Sequence, residues 1–328
     1  MDKKRLRILF FGNPGYGGAV LEELLKQNIE IVGVFHQTQN KFFQLKKFLR
    51  HNFLNFKRAK ITYKKVIHSN KFIKKMEKFF DEKFDIPQFD KNVIEIAKEK
   101  KIQLFDTSEL YKKKSLIELK KLDIDLILVA SFSELIPRNI LNIARVGSIN
   151  IHPSLLPKYR WSIPEFCAIY NGEAKTGITF HLMNIKFDSG NIILQKELDI
   201  LNTDTTISLK IKLADLMCRS LKDFFHIIDL GNLQGKPQDE SKSTYCKIKI
   251  DSDYIHKDLT VKQIKNIINA HHGVSYEPYC KIKSKKIYVL AYNKNGFSYE
   301  CKDGQVKFNI IRYRNKIYRK EEIEKLGL

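Results

Sequence analysis

The sequence predicts an α/β protein: a doubly wound, mostly parallel sheet followed by a smaller, β-rich C-terminal domain. Three observations point there. An apolar run, a glycine-rich turn, an amphipathic stretch and a second apolar run follow one another between Arg5 and His36, which is the pattern of a βαβ unit. The same alternation returns between Leu122 and Pro153. The C-terminal part instead shows short alternating runs separated by turn residues, as in hairpins. The length of 328 residues, more than one usual domain, agrees with two units.

Taken in order, RLRILFFG has the apolar density of a strand buried on both faces. In YGGAVLEELLKQN, Tyr16, Val20, Leu21, Leu24 and Leu25 share one helical face. EIVGVFH is the next strand. The turn between them, Gly12 to Gly18, could let a phosphate approach the backbone. Its order is GxxGxGG rather than GxGxxG, however, and the second strand ends His36-Gln37-Thr38-Gln39 without a carboxylate for a ribose. A tight turn facing a substrate is expected there, not a nicotinamide site.

Residues at about 40–90 form a basic, aromatic insertion. It reads either as an arm for nucleic acid, membrane or partner, or as amphipathic helices whose aromatics pack on the body; the second is favoured. Beyond it, LDIDLILVASF is a strand, LIPRNILNIA a short helix beginning after Pro137, and VGSINIHP a strand stopped by Pro153. GNLQGKPQDESKSTY reads as a linker, dividing the chain into 1–230 and 240–328. In the tail, VKQIKNIINAHH is a helix, and KIYVLAYN, FSYECKDG and QVKFNIIRY are strands with a turn at Asp303-Gly304.

The hydrophobic fraction of 43% and 22 phenylalanines fit a globular chain, and its apolar runs are too short to span a bilayer. The start meets Gly and Pro after a strand-length apolar run, without a cleavage signature. Five cysteines without CxxC spacing suggest neither a disulfide framework nor a zinc site. The cytoplasm is the expected compartment. The net charge of +22 would attract a polyanion, though a Lys-, Ile- and Asn-rich composition can equally reflect genome bias.

Acyl transfer to an amine needs a donor aimed at the carbonyl oxygen and a group to take the amine's proton. Asn150 and His152, two apart on one strand, point to the same side. Both could enter one pocket at the carboxyl edge of a parallel sheet. Asp188, in a Phe-Asp-Ser-Gly turn, could orient His152 or a water. Alone, each residue has an ordinary structural reading.

In order, the segments NIHPSLLPKYR, NGEAKTGITFHLM and FDSGNIILQ resemble the folate-dependent formyltransferase family, which includes methionyl-tRNA, glycinamide ribonucleotide and nucleotide-sugar members. The resemblance runs from about Leu6 to Gln195 apart from the insertion, and more loosely through the tail, which looks like an OB-like C-terminal module. It implies a Rossmann-like formyltransferase domain, 10-formyltetrahydrofolate as donor, no metal, and catalysis by Asn150, His152 and Asp188. Folate contacts are implied at Ala130, Ser131, Phe132, Ser133, Leu135 and Ile136. Acceptor contacts are expected from Gly12, Ser154, Tyr159, Arg160 and Trp161.

The acceptor is expected to be the amine of a nucleotide-linked amino sugar, with initiator methionyl-tRNA as the alternative. Length and charge favour tRNA. Local motifs favour a small acceptor: Trp161 stands where the tRNA enzymes are expected to have glycine, ITFHLM with FDSG looks like the sugar and ribonucleotide members, and Gly-Asn-Pro-Gly-Tyr lacks the tRNA enzymes' first-turn form. A homodimer is possible on this reading. A silent scaffold and a formate-releasing hydrolase are further alternatives; intact Asn150, His152 and Asp188 weigh against the scaffold.

Overall fold

The computed structural model describes residues 5–13, 15–37, 92–161, 163–246, 254–272, 277–314 and 316–326. The insertion expected at about 40–90 lies outside them. The first unit contains β1 (Leu6–Gly12), α1 (Tyr16–Leu24), β2 (Ile29–His36), α2 (Val93–Glu99), β3 (Leu104–Asp106), α3 (Lys113–Lys121), β4 (Leu126–Ala130) and α4 (Arg138–Leu141). It continues through β5 (Gly147–His152), α5 (Pro164–Tyr170), β6 (Lys175–Leu182), β7 (Ile192–Asp199) and α6 (Thr206–Asp229).

Seven strands pair in the order β3-β2-β1-β4-β5-β6-β7. Pairing is parallel as far as β5 and antiparallel for β5 with β6 and β6 with β7. Strand parity divides the core. Ile8 and Phe10 join α1, α2, α5 and α6 on one face, while Leu9 and Phe11 join α3 and α4 on the other. Burial on both faces is what the unbroken apolar run of β1 requires. The chain leaves β1 in both directions along the sheet, which opens a crevice at the carboxyl ends of β1, β4 and β5.

The second unit holds β8 (Tyr254–Ile255), α7 (Val261–His271), β9 (Tyr279–Ile282), β10 (Lys285–Cys301), β11 (Gly304–Tyr313), β12 (Lys316–Arg319) and α8 (Lys320–Lys325), with strand order β12-β11-β10-β9-β8. The two runs expected at KIYVLAYN and FSYEC are one strand, β10, whose pairing with β11 shifts register between Val289 and Phe297. The irregularity hides continuity from a period-two reading. One sheet face, with Ile255, Cys280, Ile287, Val289 and Ile311, packs on Ile264, Ile267 and Ile268 of α7.

The alternate residues form the other face. Tyr254 pairs with Tyr279, Tyr279 with Tyr288, and Tyr288 with Arg312, so one register row crosses β8 to β11. Lys286 Nζ lies 3.9 Å from the Tyr279 ring centre, the Arg312 guanidinium 4.3 Å from that of Tyr288, and Lys281 Nζ 5.9 Å from that of Tyr254. The units meet where Phe166 of α5 packs edge-on against His271 of α7, with centroids 5.0 Å apart.

Two expectations are corrected. The stretch read as a linker is a strap laid on the first unit: Ile192 and Lys236 exchange backbone hydrogen bonds of 2.8 Å, Asn191 Nδ2 donates to the Gln234 carbonyl at 2.9 Å, and the Arg160 N–H donates to the Thr244 carbonyl at 2.8 Å. Part of its polar composition bonds to loops while much of it still faces solvent, a distinction that composition does not carry. Cys167 and Cys246 form a disulfide with Cα atoms 5.8 Å apart. Separated by 79 residues, they meet because the strap passes α5, and the pairing removes the cysteine argument for a reducing compartment. Among the described residues, no helix is long and apolar enough to cross a membrane.

Candidate active site

β5 carries Asn150 opposite His181 of β6, and His152 opposite Thr179. Beyond Pro153 the chain folds back. Thr179 Oγ1 donates to the Ser154 carbonyl at 2.6 Å, and Ser154 Oγ donates to the Lys158 carbonyl at 2.6 Å. This return brings the Tyr159 carbonyl to 2.8 Å from His152 Nε2. A carbonyl only accepts, so Nε2 carries the proton and neutral His152 keeps its lone pair at Nδ1. That atom faces Asp188 Oδ2 at 3.5 Å.

Asp188 is the hub. Its Oδ1 accepts from Asn150 Nδ2 at 3.1 Å, and its Oδ2 accepts from the Trp161 N–H at 2.9 Å. Asn150 Nδ2 also lies 3.1 Å from His181 Nε2, while His181 Nδ1 lies 2.9 Å from the Leu182 carbonyl. The same logic makes His181 Nε2 an acceptor, so Asn150 donates both of its amide hydrogens within the cluster. Asp188 sits in a left-handed backbone conformation, φ 49°, which Asp tolerates better than most residues. The turn passes so close to β6 that a Cβ on Gly190 would stand 1.8 Å from the Leu182 carbonyl oxygen.

Burial pushes the His152 imidazole below its usual range, with Asp188 opposing the shift. Burial acts to raise the Asp188 carboxyl, but His152, His181 and the Trp161 N–H outweigh it and hold Asp188 well below the carboxylate range. Near neutral pH the cluster is thus one carboxylate beside a neutral His152.

The three expected catalytic residues come together, but not as one open row. A cleft of about 450 Å³, its open mouth included, is lined by Asn150, His181 and Asp188 beside Val129, Phe132, Leu135, Ile136, Met183 and Phe187. His152, 4% exposed, lies behind Asp188 and does not line it. The folded-back loop covers the imidazole, which strand parity alone placed in the pocket.

Of the six expected folate positions, Phe132, Leu135 and Ile136 line the cleft. Ala130 is the buried end of β4, Ser131 turns the chain at φ 58°, and Ser133 Oγ bonds Gln37 at 3.3 Å. The expected acceptor positions fare differently. Gly12 packs against Gly17, and Ser154 closes its own turn. Tyr159 donates to Glu173 at 2.6 Å, its phenol pushed up to about 12 chiefly by burial. Arg160, 1% exposed, turns into the strap. Trp161 is 49% exposed, its ring nearly parallel to that of Phe187 with centroids 6.3 Å apart.

His181 and Gln238 are the functional candidates that sequence reasoning missed. The signal for His181 was its place in ITFHLM, opposite Asn150, but it needs the β5–β6 register. Nothing local marks Gln238. Among the described residues, no group of three or more His, Cys, Asp or Glu side chains could hold a metal ion.

Comparison with known proteins places the chain in a family. The methionyl-tRNA formyltransferase of Thermotoga maritima is 29% identical over 267 residues, covering 81% of this chain and 72% of its own length. That of Kosmotoga olearia is 26% identical over 329 residues, covering 95% and 93%. A sugar 3N-formyl transferase crystallised in the presence of dTDP and 5-N-formyl-THF superposes with a TM-score of 0.60 at 18% identity, covering 96% of this chain and all of its own. An N-formyltransferase from Helicobacter canadensis, in complex with folinic acid and dTDP-3-aminofucose, gives 0.60 at 18% identity over 92% of this chain. At such identity these two structures speak for the fold alone. The formyl transferase family profile matches residues 4–222, which take in the whole Asn150, His152, His181 and Asp188 cluster and well over half of the sequence, so the chain belongs to the formyl transferase family.

Proposed function

We propose that the protein transfers the formyl group of 10-formyltetrahydrofolate to the primary amine of a nucleotide-linked amino sugar. The observation that carries the acceptor is the exposed Trp161–Phe187 pair beside Asp188. Two nearly parallel rings next to a reacting centre offer a face for a sugar or base. For the donor, the walls of Val129, Phe132, Leu135, Ile136 and Met183 suit a flat ring system, and they end on Asn150 and Asp188. When bound, the folate supplies the formyl carbon.

Each residue then has a task. Asn150 turns one amide hydrogen towards the carbonyl oxygen that becomes negative; the hydrogen shared with His181 is the one to yield, since the carboxylate holds the other more strongly. Asp188 borders both the cleft and His152, so the proton leaving the amine passes along it. His152 Nδ1 can receive that proton, the resulting imidazolium standing against the Asp188 carboxylate, and would return it to the folate nitrogen as the bond from the formyl carbon to that nitrogen breaks, so that tetrahydrofolate leaves as the neutral amine.

A second reading, initiator methionyl-tRNA as acceptor, draws on the Tyr254-Tyr279-Tyr288-Arg312 row and the net charge of +22. Stacking rings interleaved with cations suit a nucleic-acid strand. Its sequence relatives carry that name. The test supplies 10-formyltetrahydrofolate with nucleotide-linked amino sugars and with initiator methionyl-tRNA in parallel, reading mass. A formyl mass gain on a sugar with tRNA untouched supports the proposal. Gain on tRNA alone replaces it with the second reading.

A further inference from the structure

The carboxamide of Gln238 sits between the turn that carries Asp188 and the loop that carries Arg160 and Trp161. Its Nε2 donates to the carbonyl oxygens of Asp188 at 2.8 Å and Gly190 at 2.7 Å. Its Oε1 accepts from Arg160 Nε at 3.2 Å and Nη2 at 2.7 Å. A primary amide has two donor hydrogens and an oxygen able to accept twice, so these contacts use all of its capacity. Glutamate lacks the donors and lysine the acceptor. A side chain that merely filled space would not need an amide in this orientation.

Arg160 anchors the other side. Its guanidinium ends on Glu240 at 2.9 and 2.7 Å, and its own N–H is held by the Thr244 carbonyl at 2.8 Å. The next residue, Trp161, gives its N–H to Asp188 Oδ2. The strap therefore grips the Asp188 turn directly through two carbonyls, and grips the donor to its carboxylate through Arg160. Both ends of the grip need holding. Asp188 at φ 49° and Trp161 at φ 78° are side-chain-bearing residues in the left-handed region, a conformation that persists when its surroundings over-determine it.

We propose that Gln238 is a positioning residue for formyl transfer, with Arg160 as its anchor. It fixes the Asp188 turn so that one carboxylate meets Asn150, His152 and the Trp161 N–H together. The inference rests on the role given to Asp188 above, and deepens it by assigning part of the catalytic geometry to the chain that joins the two units.

The test is a double-mutant cycle in the full-length protein with Gln238→Ala, Gln238→Glu, Asp188→Asn and the combinations, reading kcat, acceptor KM, folate Kd and melting midpoint. Gln238→Ala should lower kcat by about 10- to 100-fold, the scale of a catalytic group misplaced by about 1 Å, with folate Kd changed less than about twofold. Gln238→Glu should lose at least as much, because its carboxylate would face two carbonyl oxygens. In the Asp188→Asn background, Gln238→Ala should cost little more. Losses that multiply, or that track the unfolded fraction in the melt, overturn the proposal. Wild-type turnover in Gln238→Ala, with Asp188→Asn impaired, sinks the positioning role alone. Wild-type turnover in Asp188→Asn removes the assigned mechanism as well.

Discussion

The cluster around Asp188 and the outer face of the C-terminal sheet both gather charge beside aromatic rings, in opposite manners. Around Asp188 one carboxylate, 11% exposed, receives hydrogen bonds from Asn150 and the Trp161 N–H and stands beside two imidazoles. On the sheet, Lys281, Lys286 and Arg312 lie over a row of tyrosines that is partly open to water. In the first, both carboxylate oxygens of Asp188 and the Asn150 amide nitrogen have assigned partners, so a single change there leaves a buried group unmatched. The second spreads its attraction over several weak contacts. The first suits a bond-making step and the second a reversible grip.

The comparison breaks first at the cluster. His152→Ala and Asn150→Ala should each reduce turnover by about 10²- to 10³-fold, leaving folate affinity nearly unchanged, in rapid-quench formyl transfer and ligand titration. Near-normal turnover in either would dissolve the contrast. In wild type, turnover should hold below the ordinary imidazole value of about 6.5 and fall as pH drops through the lowered value of His152. Stability follows the same direction. With both folded-state values depressed, the contributions of His152 and Asp188 are present above their ordinary values and lost as pH falls through the lowered ones, because the unfolded chain binds those protons more readily.

A smaller effect is expected at the mouth. Trp161→Gly should raise acceptor KM by about tenfold, equivalent to about 1.4 kcal/mol, while folate Kd stays constant. The same change relieves a left-handed backbone strain of about 1 kcal/mol, so the melting midpoint should not fall with affinity. Equal changes for both ligands would take the ring out of the acceptor's wall. The smallest effect on transfer belongs to the sheet. Tyr279→Ala should leave sugar formylation unchanged, but weaken salt-sensitive binding of initiator tRNA by about 1 kcal/mol or more if a base stacks there. Lost sugar formylation in a folded variant would erase the distinction between the regions.

What the sequence disclosed follows from range. β1 was legible because its burial is written in consecutive residues, and Asn150, His152 and Asp188 because the motifs around them are local and ordered. His181 required knowing that β6 runs antiparallel to β5 in a particular register. Arg160 was expected to contact the acceptor, but its partners Gln238 and Glu240 lie 78 and 80 residues away, beyond the reach of a local reading. The strap failed the same way, since chain that bonds to distant loops and chain that bonds to water have similar compositions.

The bond between Cys167 and Cys246 then has a mechanical meaning. It rivets the far end of the strap to α5, eight residues after Gln238, before the chain continues to β8. A pull from the C-terminal side would load that rivet and the body of α5, and the tension would be grounded before it reached the Asp188 turn. Although the strap joins the two units in sequence, as a load path it belongs to the first.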